Sequence, residues 1–346
     1  MSGKSVTTGL AVRLYGPFAR LRRLCQSAKA HRLGPGLKLA IDNFPSLAPL
    51  QVTMQQTDPI EPQTGGPERK SFQRRIARAI WLYAVVPYLF VVVIFTLFQR
   101  KLMYRPTVAD NLSVQRAGLD ADRVKDILIE APDGTELRGW LLKSVTNENA
   151  SLVVYFPGNS LNRFQRVDDL REVTRAGFDV LICDYRGYGD SGGSPSEPTL
   201  TSDARLVVQE ALKLGYAQER MVIFGESLGG AVALSLWSDR EFEVRPAGLI
   251  LSSTFSSMPE TVGWHYPLFP FRFLLLDTWR SIEWIGAVQC PITIYHGDRD
   301  TMAPIEHARR LASAATDASF EKISGGEHNQ IPMHRLRSKL TEIADW

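Results

Sequence analysis

Residues 221–230 read MVIFGESLGG, and this stretch decides the fold. Four apolar residues, 221–224, precede a G-x-S-x-G pattern at 225–229, and the small residues that follow favour a helix. Glycines on both sides of Ser227 allow a sharp strand-to-helix turn, which holds the serine in a strained conformation with its hydroxyl exposed. The pattern therefore predicts that Ser227 is a nucleophile at the start of a helix.

Short apolar strands alternate with helical stretches on both sides of this turn. We predict strands at 126–130, 136–142, 152–156, 180–183, 221–224, 249–251, 292–295 and 320–323. We predict helices at 163–176, 199–214, 228–238, 304–314 and 331–344. Asp133-Gly134 signals a hairpin between the first two strands. Because the remaining strands alternate with helices, the fold class is α/β, with a mostly parallel sheet flanked by helices.

A serine hydroxyl is a weak nucleophile until a base removes its proton, so a histidine is required. In chains with this turn, the acid and then the base follow the serine along the sequence. His328 lies in a Gly-rich loop, 325–329, between the last predicted strand and the last predicted helix. His307 and His334 fall within predicted helices, and His296 ends a strand. We therefore predict that His328 is the base.

The acid that orients the imidazole should follow a late strand. The strand at 291–295 runs into HGDRDTMAP at 296–304, which offers Asp298 and Asp300. Asp300 lies at the far side of this turn, ahead of the helix-starting Pro304, and is the predicted acid. Asp298 is the alternative, with a turn or capping role as its simpler explanation.

An acyl-transfer site needs two main-chain N–H groups directed at the developing negative charge. One should come from Leu228, directly after the nucleophile. The other should come from the loop Pro157-Gly158-Asn159-Ser160, which follows the strand at 152–156. Asn159 is the first candidate for this oxyanion hole and Ser160 the second.

Residues 79–98 form a run of twenty uncharged, largely apolar residues. At 1.5 Å per residue, such a helix spans about 30 Å, the thickness of the hydrocarbon layer of a bilayer. We predict a transmembrane helix at 79–99, with a buried core helix as the alternative. Five basic residues precede this helix closely and three follow it. This favours a cytoplasmic N-terminus and a translocated catalytic domain, periplasmic or lumenal.

The segment before this helix, 1–78, is basic, and we expect it to be disordered. Residues 1–57 hold eight Lys or Arg and a single acid, Asp42. This composition is typical of an organellar transit peptide, but also of a cytosolic tail. A third interpretation, which we favour, is that translation starts at Met54.

Composition narrows the function classes. The net charge of +3 gives no case for a nucleic-acid partner. The three cysteines are widely spaced and contain no CxxC pair, so they predict neither a disulfide framework nor a zinc site. We expect no metal and no other cofactor.

These motifs together give a resemblance to a known family. In order they are FQ at 98–99, YRP at 104–106, PGNS at 157–160, DYRGYGDSGGSPSE at 184–197, GESLGGAVA at 225–233, HGDRD at 296–300 and GGEHN at 325–329. From about Phe98 to Trp346 the chain resembles the N-terminally anchored, single-pass branch of the α/β-hydrolase domain proteins. That branch includes protein depalmitoylases and lysophospholipid lipases. Its members usually have a histidine where this chain has Pro157.

The resemblance implies an α/β-hydrolase domain over 100–346, with a helical cap at about 254–286. The cap sequence is rich in aromatic residues, which suits an acyl chain or simply the packing of the cap. The leading hypothesis is an esterase, lipase or thioesterase that acts on an acyl ester, which a membrane anchor would hold near lipid-derived substrates. A peptidase is the alternative, for which Glu260, Asp277 and Glu283 could bind a substrate amine. A catalytically silent membrane scaffold is the third hypothesis.

Overall fold

The structure is a computed structural model that describes residues 67–110, 112–239, 241–328 and 333–344. The basic segment up to residue 66, including Met54, lies outside the described residues. Within them the strands are β1 Arg105–Pro106, β2 Val124–Glu130, β3 Glu136–Leu142, β4 Leu152–Phe156, β5 Ser160–Leu161, β6 Asp179–Cys183, β7 Met221–Glu226, β8 Gly248–Ser252, β9 Ile292–Gly297 and β10 Ala318–Ile323.

Helices lie between these strands. The first, α1, is long and runs without a break through Pro67–Ile80, Trp81–Val85 and Val86–Met103. The others are α2 Val167–Arg175, α3 Glu197–Lys213, α4 Leu228–Ser235, α5 Met258–His265, α6 Ser281–Trp284, α7 Glu306–Ala314 and α8 Met333–Ala344.

Eight of the described strands form one sheet, in the order β10-β9-β8-β7-β4-β6-β3-β2. The strands from β10 to β6 are parallel, and β3 pairs antiparallel with both β6 and β2. The predicted α/β fold, with a mostly parallel sheet and an initial hairpin, is therefore confirmed. The central strands β4, β6, β7 and β8 are buried along their whole length, which explains why they are short continuous apolar runs rather than alternating ones.

Helix α1 begins earlier than the sequence predicted. Residues 67–78, which we expected to be disordered, are helical. The segment is rich in Arg, Lys, Gln and Ala, which are strong helix formers, and charge alone misled the prediction. The five residues Trp81–Val85 form a π-helical turn. Pro87 lacks an N–H and would clash with the carbonyl of Tyr83 in a regular α-helix, so a wider turn at this place accommodates the proline.

The cap lies between β8 and β9 and contains α5, a 3₁₀ turn at Pro270–Phe273 and α6. The side chain of Ser257 accepts a hydrogen bond from the N–H of Glu260 and so begins α5. Trp279, which is fully buried, packs the base of the cap into the core on the α4 side of the sheet. The aromatic residues of the cap therefore divide between the core and its outer surface.

Candidate active site

The sharp turn predicted at Ser227 joins β7 to α4. Ser227 has φ 52° and ψ −115°, a strained conformation for a residue with a side chain. The turn is tight, because a Cβ on Gly225 would lie 2.6 Å from the carbonyl oxygen of Gly229. A Cβ on Gly229 would collide with the main chain of Phe156. The glycines of the motif are thus required by close backbone approach, and the turn lifts Ser227 out of the sheet at the start of α4.

The structure brings Ser227, His328 and Asp300 into one hydrogen-bonded chain. Ser227 Oγ lies 2.9 Å from His328 Nε2. His328 Nδ1 lies 2.7 Å from Asp300 Oδ2. The three residues come from the ends of β7, β9 and β10 or the loops that follow them. Parallel strands place their carboxyl ends at one edge of the sheet, which is why residues so distant in sequence meet there.

Asp300 is held as a carboxylate by several donors. Its Oδ1 accepts hydrogen bonds from the N–H groups of Met302, at 2.8 Å, and Ala303, at 2.9 Å. Burial by itself would raise the pKa of Asp300, but hydrogen bonds from His296, His328 and the Ala303 N–H outweigh it and hold the pKa well below its ordinary range. Asp300 is therefore ionised at neutral pH and can accept a hydrogen bond from the N–H of His328 Nδ1.

His296 supports this carboxylate in a way that the sequence did not reveal. Its Nε2 lies 2.7 Å from the carbonyl oxygen of Ala303 and 3.2 Å from Asp300 Oδ2. Both neighbours accept hydrogen bonds, so Nε2 carries the proton. The side chain is fully buried. A histidine four residues before the acid was the available signal, but position alone does not separate a supporting imidazole from one that only shapes a turn.

The other candidate acid, Asp298, lies elsewhere in the turn. Its Oδ1 accepts a 2.7 Å hydrogen bond from the N–H of Gly325, and Oδ2 lies 3.6 Å from Lys322 Nζ. These contacts tie the loop after β9 to the loop that carries His328. The hydrogen bond to His328 is made by Asp300, and the role of Asp300 as the acid stays a prediction.

The candidate oxyanion donors lie on either side of the nucleophile. Leu228 is the first residue of α4, whose N-terminus directs N–H groups toward the site. Asn159 lies in the loop between β4 and β5. Its carbonyl oxygen accepts hydrogen bonds from the N–H of Arg105, at 3.0 Å, and from Tyr188 Oη, at 2.8 Å. Ser160, the second candidate, pairs with Arg105 where β5 meets β1. The oxyanion roles of Leu228 and Asn159 stay predictions.

Two tyrosines of the motif at 184–197 donate hydrogen bonds to the main chain of the loop between β4 and β5. Tyr185 Oη donates to the carbonyl oxygen of Pro157, at 2.8 Å, and Tyr188 Oη reaches Asn159 as described. Asp184 instead makes a buried ion pair with Arg163. The loop thus has side-chain support although Pro157 stands where the resemblance led us to expect a histidine.

A buried ion pair lies directly beneath the nucleophile and was missed by sequence reasoning. Arg166 makes two hydrogen bonds to Glu226, at 3.0 and 3.1 Å, and Tyr155 Oη donates to the same carboxylate at 2.7 Å. A Cβ on Gly158 would lie 3.4 Å from Glu226 Oε1 and 3.6 Å from Ser227 Cβ. The pair therefore lies next to both the serine turn and the candidate oxyanion loop. Glu226 is the variable residue before the serine, which gave no signal.

Comparison with known proteins identifies the family of the chain. Residues 148–282 match the family model Hydrolase_4, described as serine aminopeptidase, S33. An uncharacterized protein of Mycobacterium tuberculosis is 36% identical over 259 residues, covering 71% of this chain and 88% of the relative. The chain is an α/β hydrolase. This hydrolase is also 31% identical to the lysophosphatidylserine lipase ABHD12 of Danio rerio, over 56% of this chain and 54% of that protein, so it spans about half of that relative's length.

A solved structure shows the same fold. The Pyrococcus furiosus esterase Pf2001 matches 70% of this α/β hydrolase and 95% of its own chain, with a TM-score of 0.54 and 20% identity. Among the described residues, α1 is the one helix that is long and apolar enough to cross a membrane.

Proposed function

We propose that this α/β hydrolase is a membrane-anchored serine hydrolase that cleaves carboxylic ester or thioester bonds through an acyl-enzyme on Ser227. The observation that carries the proposal is the hydrogen-bonded chain Ser227–His328–Asp300, with Ser227 Oγ 2.9 Å from His328 Nε2 and His328 Nδ1 2.7 Å from Asp300 Oδ2. Distances in this range let a base take the serine proton as the nucleophile attacks.

The first half of the reaction forms the acyl-enzyme. Ser227 Oγ attacks the acyl carbonyl carbon while its proton passes to His328 Nε2. The ionised carboxylate of Asp300 accepts the N–H of His328 Nδ1 and stabilises the imidazolium. The carbonyl oxygen becomes an oxyanion, for which the N–H groups of Leu228 and Asn159 are the proposed donors. The imidazolium then protonates the leaving alcohol or thiol as the carbon–oxygen or carbon–sulfur bond breaks.

The second half releases the acid. Water attacks the acyl carbon and gives a proton to His328 Nε2, a second oxyanion forms in the same place, and its collapse returns the proton to Ser227 Oγ. The products are a carboxylic acid and the free enzyme. Every proton in this cycle moves through His328, so no further acid or base is needed.

The substrate class follows from the cap and the anchor. The cap carries exposed aromatic and aliphatic residues, among them Trp264, Leu268 and Phe273. Such a surface suits an apolar acyl group. The lipase activity in the name of the Danio rerio relative supports a lipid-derived ester.

The peptidase alternative needs an acidic group in the cap that is free to bind a substrate amine. Glu260 makes an ion pair with Arg310, Asp277 with Arg100, and Glu283 with Arg280. Each of these three carboxylates is thus neutralised by a cation of the chain itself. This pairing favours an ester or thioester substrate over a peptide with a free N-terminus.

The membrane part of the proposal rests on α1. The helix has an 18-residue window with a mean hydropathy of 2.4, and none of that window is buried. A core helix of this composition would be covered by protein. We propose that residues 79–99 cross the bilayer, with the N-terminus in the cytoplasm and the catalytic domain, 100–346, in the periplasm or a lumen. The excess of basic residues before the helix supports this orientation.

A fluorophosphonate probe tests the chemistry, because it reacts with serines activated by a base. The full chain in detergent should be labelled once, and Ser227→Ala should abolish labelling. Equal labelling of this variant, or none of the wild type, would reject the proposal and favour a silent scaffold. Hydrolysis of p-nitrophenyl esters of graded chain length, compared with aminoacyl anilides, then separates an esterase from a peptidase. A C-terminal alkaline phosphatase fusion should be active only if the domain is translocated.

A further inference from the structure

We propose that the tip of the cap, residues 266–276, inserts into the hydrocarbon layer of the membrane beside α1. The inference rests on the proposed anchoring and adds a second membrane contact to it. It assigns an interaction surface on the catalytic domain, whose partner is the lipid bilayer.

The cap tip packs against the apolar part of α1. Phe271 stacks on Phe95, with ring centroids 3.8 Å apart, and Phe269 stacks on Tyr88, with centroids 5.1 Å apart. Nearer the end of the helix, Arg100 makes a bidentate ion pair with the fully buried Asp277. These contacts join the cap and the helix over several turns, so the two elements share one position relative to a membrane.

The place of these contacts along the helix fixes the depth of the cap tip. Arg100 marks one end of the apolar span and Arg78 the other. Tyr88 lies twelve residues from Arg100, which is about 18 Å along the axis of an α-helix. The hydrocarbon layer is about 30 Å thick, so a helix that crosses it carries Tyr88 near the middle. The cap residues that touch Tyr88 must then lie well inside the layer.

The surface of the tip suits this depth. Leu268 is 83% exposed, Phe273 73% and Leu276 63%, although they belong to the apolar residues that proteins usually bury. Arg272 is the one charged residue between 266 and 276. Its guanidinium lies 4.5 Å from the ring centroid of Phe273, and its long side chain can reach toward the headgroups. An exposed apolar surface of this kind marks a membrane or protein contact.

The main chain of the tip is also adapted to a layer without water, where polar main-chain groups need internal partners. Pro267 and Pro270 have no N–H to satisfy. Tyr88 Oη donates to the carbonyl oxygen of Leu268, at 3.2 Å. Gln99, which is buried, donates to the carbonyl oxygen of Leu274, at 3.1 Å, and accepts from the N–H of Leu276, at 2.7 Å. Side chains of α1 thus satisfy main-chain groups of the tip, from Tyr88 near the middle of the span to Gln99 at its end.

The bilayer is a better occupant than a second protein, because the apolar surface of the tip continues onto the exposed faces of α1 that a lipid bilayer would cover. The cap also contacts the loop that holds Asp300. His265, at the end of α5, lies 2.9 Å from the carbonyl oxygen of Met302, whose side chain is 55% exposed in the loop that holds Asp300.

Site-directed fluorescence tests the inference on the full chain in phosphatidylcholine–phosphatidylglycerol vesicles. Cys25→Ser removes one native thiol. Cys183 and Cys290 are buried, which raises the pKa of each thiol to about 12 and keeps them unreactive. An NBD fluorophore is attached at Leu268→Cys, with Phe273→Cys as a second position if the first variant misfolds. Leu128→Cys, an equally apolar residue that is 55% exposed on β2, is the matched control.

We expect the fluorophore at 268 or 273 to emit at shorter wavelength than at 128, to be quenched by lipids that carry a nitroxide on the acyl chain, and to be protected from aqueous iodide. If the chain floats with the vesicles but iodide quenches the fluorophore at 268 or 273, the chain is anchored while its cap tip is in water. That result would overturn the cap insertion and leave the anchor intact. A shifted emission that nitroxide lipids do not quench would indicate a second copy and would also overturn it. A chain that does not float with the vesicles would overturn the anchor and the insertion together, whereas fluorophosphonate labelling reports on the chemistry independently.

A kinetic comparison gives a second readout. Leu268→Asp should lower the ratio of activity on a vesicle-embedded ester to activity on a water-soluble ester by at least about tenfold, since a charge is costly in the hydrocarbon layer. Leu128→Asp should leave that ratio unchanged. An unchanged ratio in Leu268→Asp would contradict a role of the tip in reaching lipid substrates.

Discussion

The side-chain amide of Asn159 donates a 2.9 Å hydrogen bond to the main-chain carbonyl oxygen of Met103, the last residue of α1. A second hydrogen bond, from the N–H of Arg105 to the carbonyl oxygen of Asn159, also joins this loop to the chain that leaves α1. The peptide that carries a candidate oxyanion donor is thus held by the residues at the end of α1. The helix is therefore part of the support of the site, in addition to its proposed role as a membrane anchor.

This link leads to a prediction about Asn159→Ala. The variant keeps the main-chain N–H but loses the bond to Met103, so the loop should lose its fixed position. We expect kcat to fall about tenfold with little change in KM, less than the 10²–10³ that follows the removal of an oxyanion donor. Asn162→Ala breaks a comparable bond, to the carbonyl oxygen of Thr107, outside this loop and should change kcat less than about twofold. Equal effects of the two variants would contradict the link.

The two aspartates after β9 can be separated by substitution. Asp300→Asn should lower kcat by about 10⁴, because the amide no longer holds the required tautomer of His328. Asp298→Asn keeps an oxygen that can accept from the N–H of Gly325 but loses the negative charge that faces Lys322, and it should affect stability more than kcat. Steady-state hydrolysis of a short p-nitrophenyl ester measures both. A larger loss of kcat in Asp298→Asn would reverse the assignment.

The ion pair beneath the nucleophile predicts non-additive stability. Arg166→Met leaves the Glu226 carboxylate buried without its cation, and breaking such a pair costs about 3 kcal/mol. Arg166→Met combined with Glu226→Gln removes both charges and should recover much of this loss. The free energy of unfolding of the full chain in detergent, from urea titration, gives the comparison. A double variant that is no more stable than Arg166→Met would show that the pair is not energetically coupled.

Acid sensitivity should depend on His307. Its Nδ1 lies 2.6 Å from Ser256 Oγ at the base of the cap. Burial lowers the pKa of His307 and outweighs the opposing charge of Glu260, while Arg310 lowers it further. The unfolded chain, with a value of about 6.5, then binds more protons than the folded one, so the free energy of unfolding decreases as pH falls below about 6.5. His307→Gln should flatten this dependence between pH 7.5 and 5.5 in thermal unfolding. Parallel curves for the two proteins would exclude His307 as the cause.

The sequence carried enough information for the fold and for the three central side chains. The strand–turn–helix around Ser227 predicted both a parallel sheet and a nucleophile, because close packing at the turn requires glycines at fixed positions. His328 and Asp300 followed from chain order and from the loops after β10 and β9. These features are local patterns, in which neighbouring residues specify the geometry.

Contacts between distant segments could not be predicted in this way. One such set of contacts joins Gln99 and Arg100 to the cap, and another joins Asn159 to Met103. The residues adjacent in sequence to each of these side chains do not indicate its partner. Arg166 and Glu226 form a buried pair, but each looks like a surface charge in the sequence. We predicted disorder at 67–78 because the segment is highly charged, and gave too little weight to the helix propensity of its residues. Side chains that support the site are thus set by tertiary packing, and the reacting groups by local sequence.

The central claim, an acyl-enzyme on Ser227, is tested most directly by trapping it. Turnover of a p-nitrophenyl ester by the full chain is quenched in acid within the first cycle, and the peptides are examined by mass spectrometry. We predict one acyl adduct, on the peptide that contains Ser227, with a matching burst of p-nitrophenol and no adduct in Ser227→Ala. Hydrolysis without an adduct at Ser227, or undiminished hydrolysis by Ser227→Ala, would contradict the mechanism.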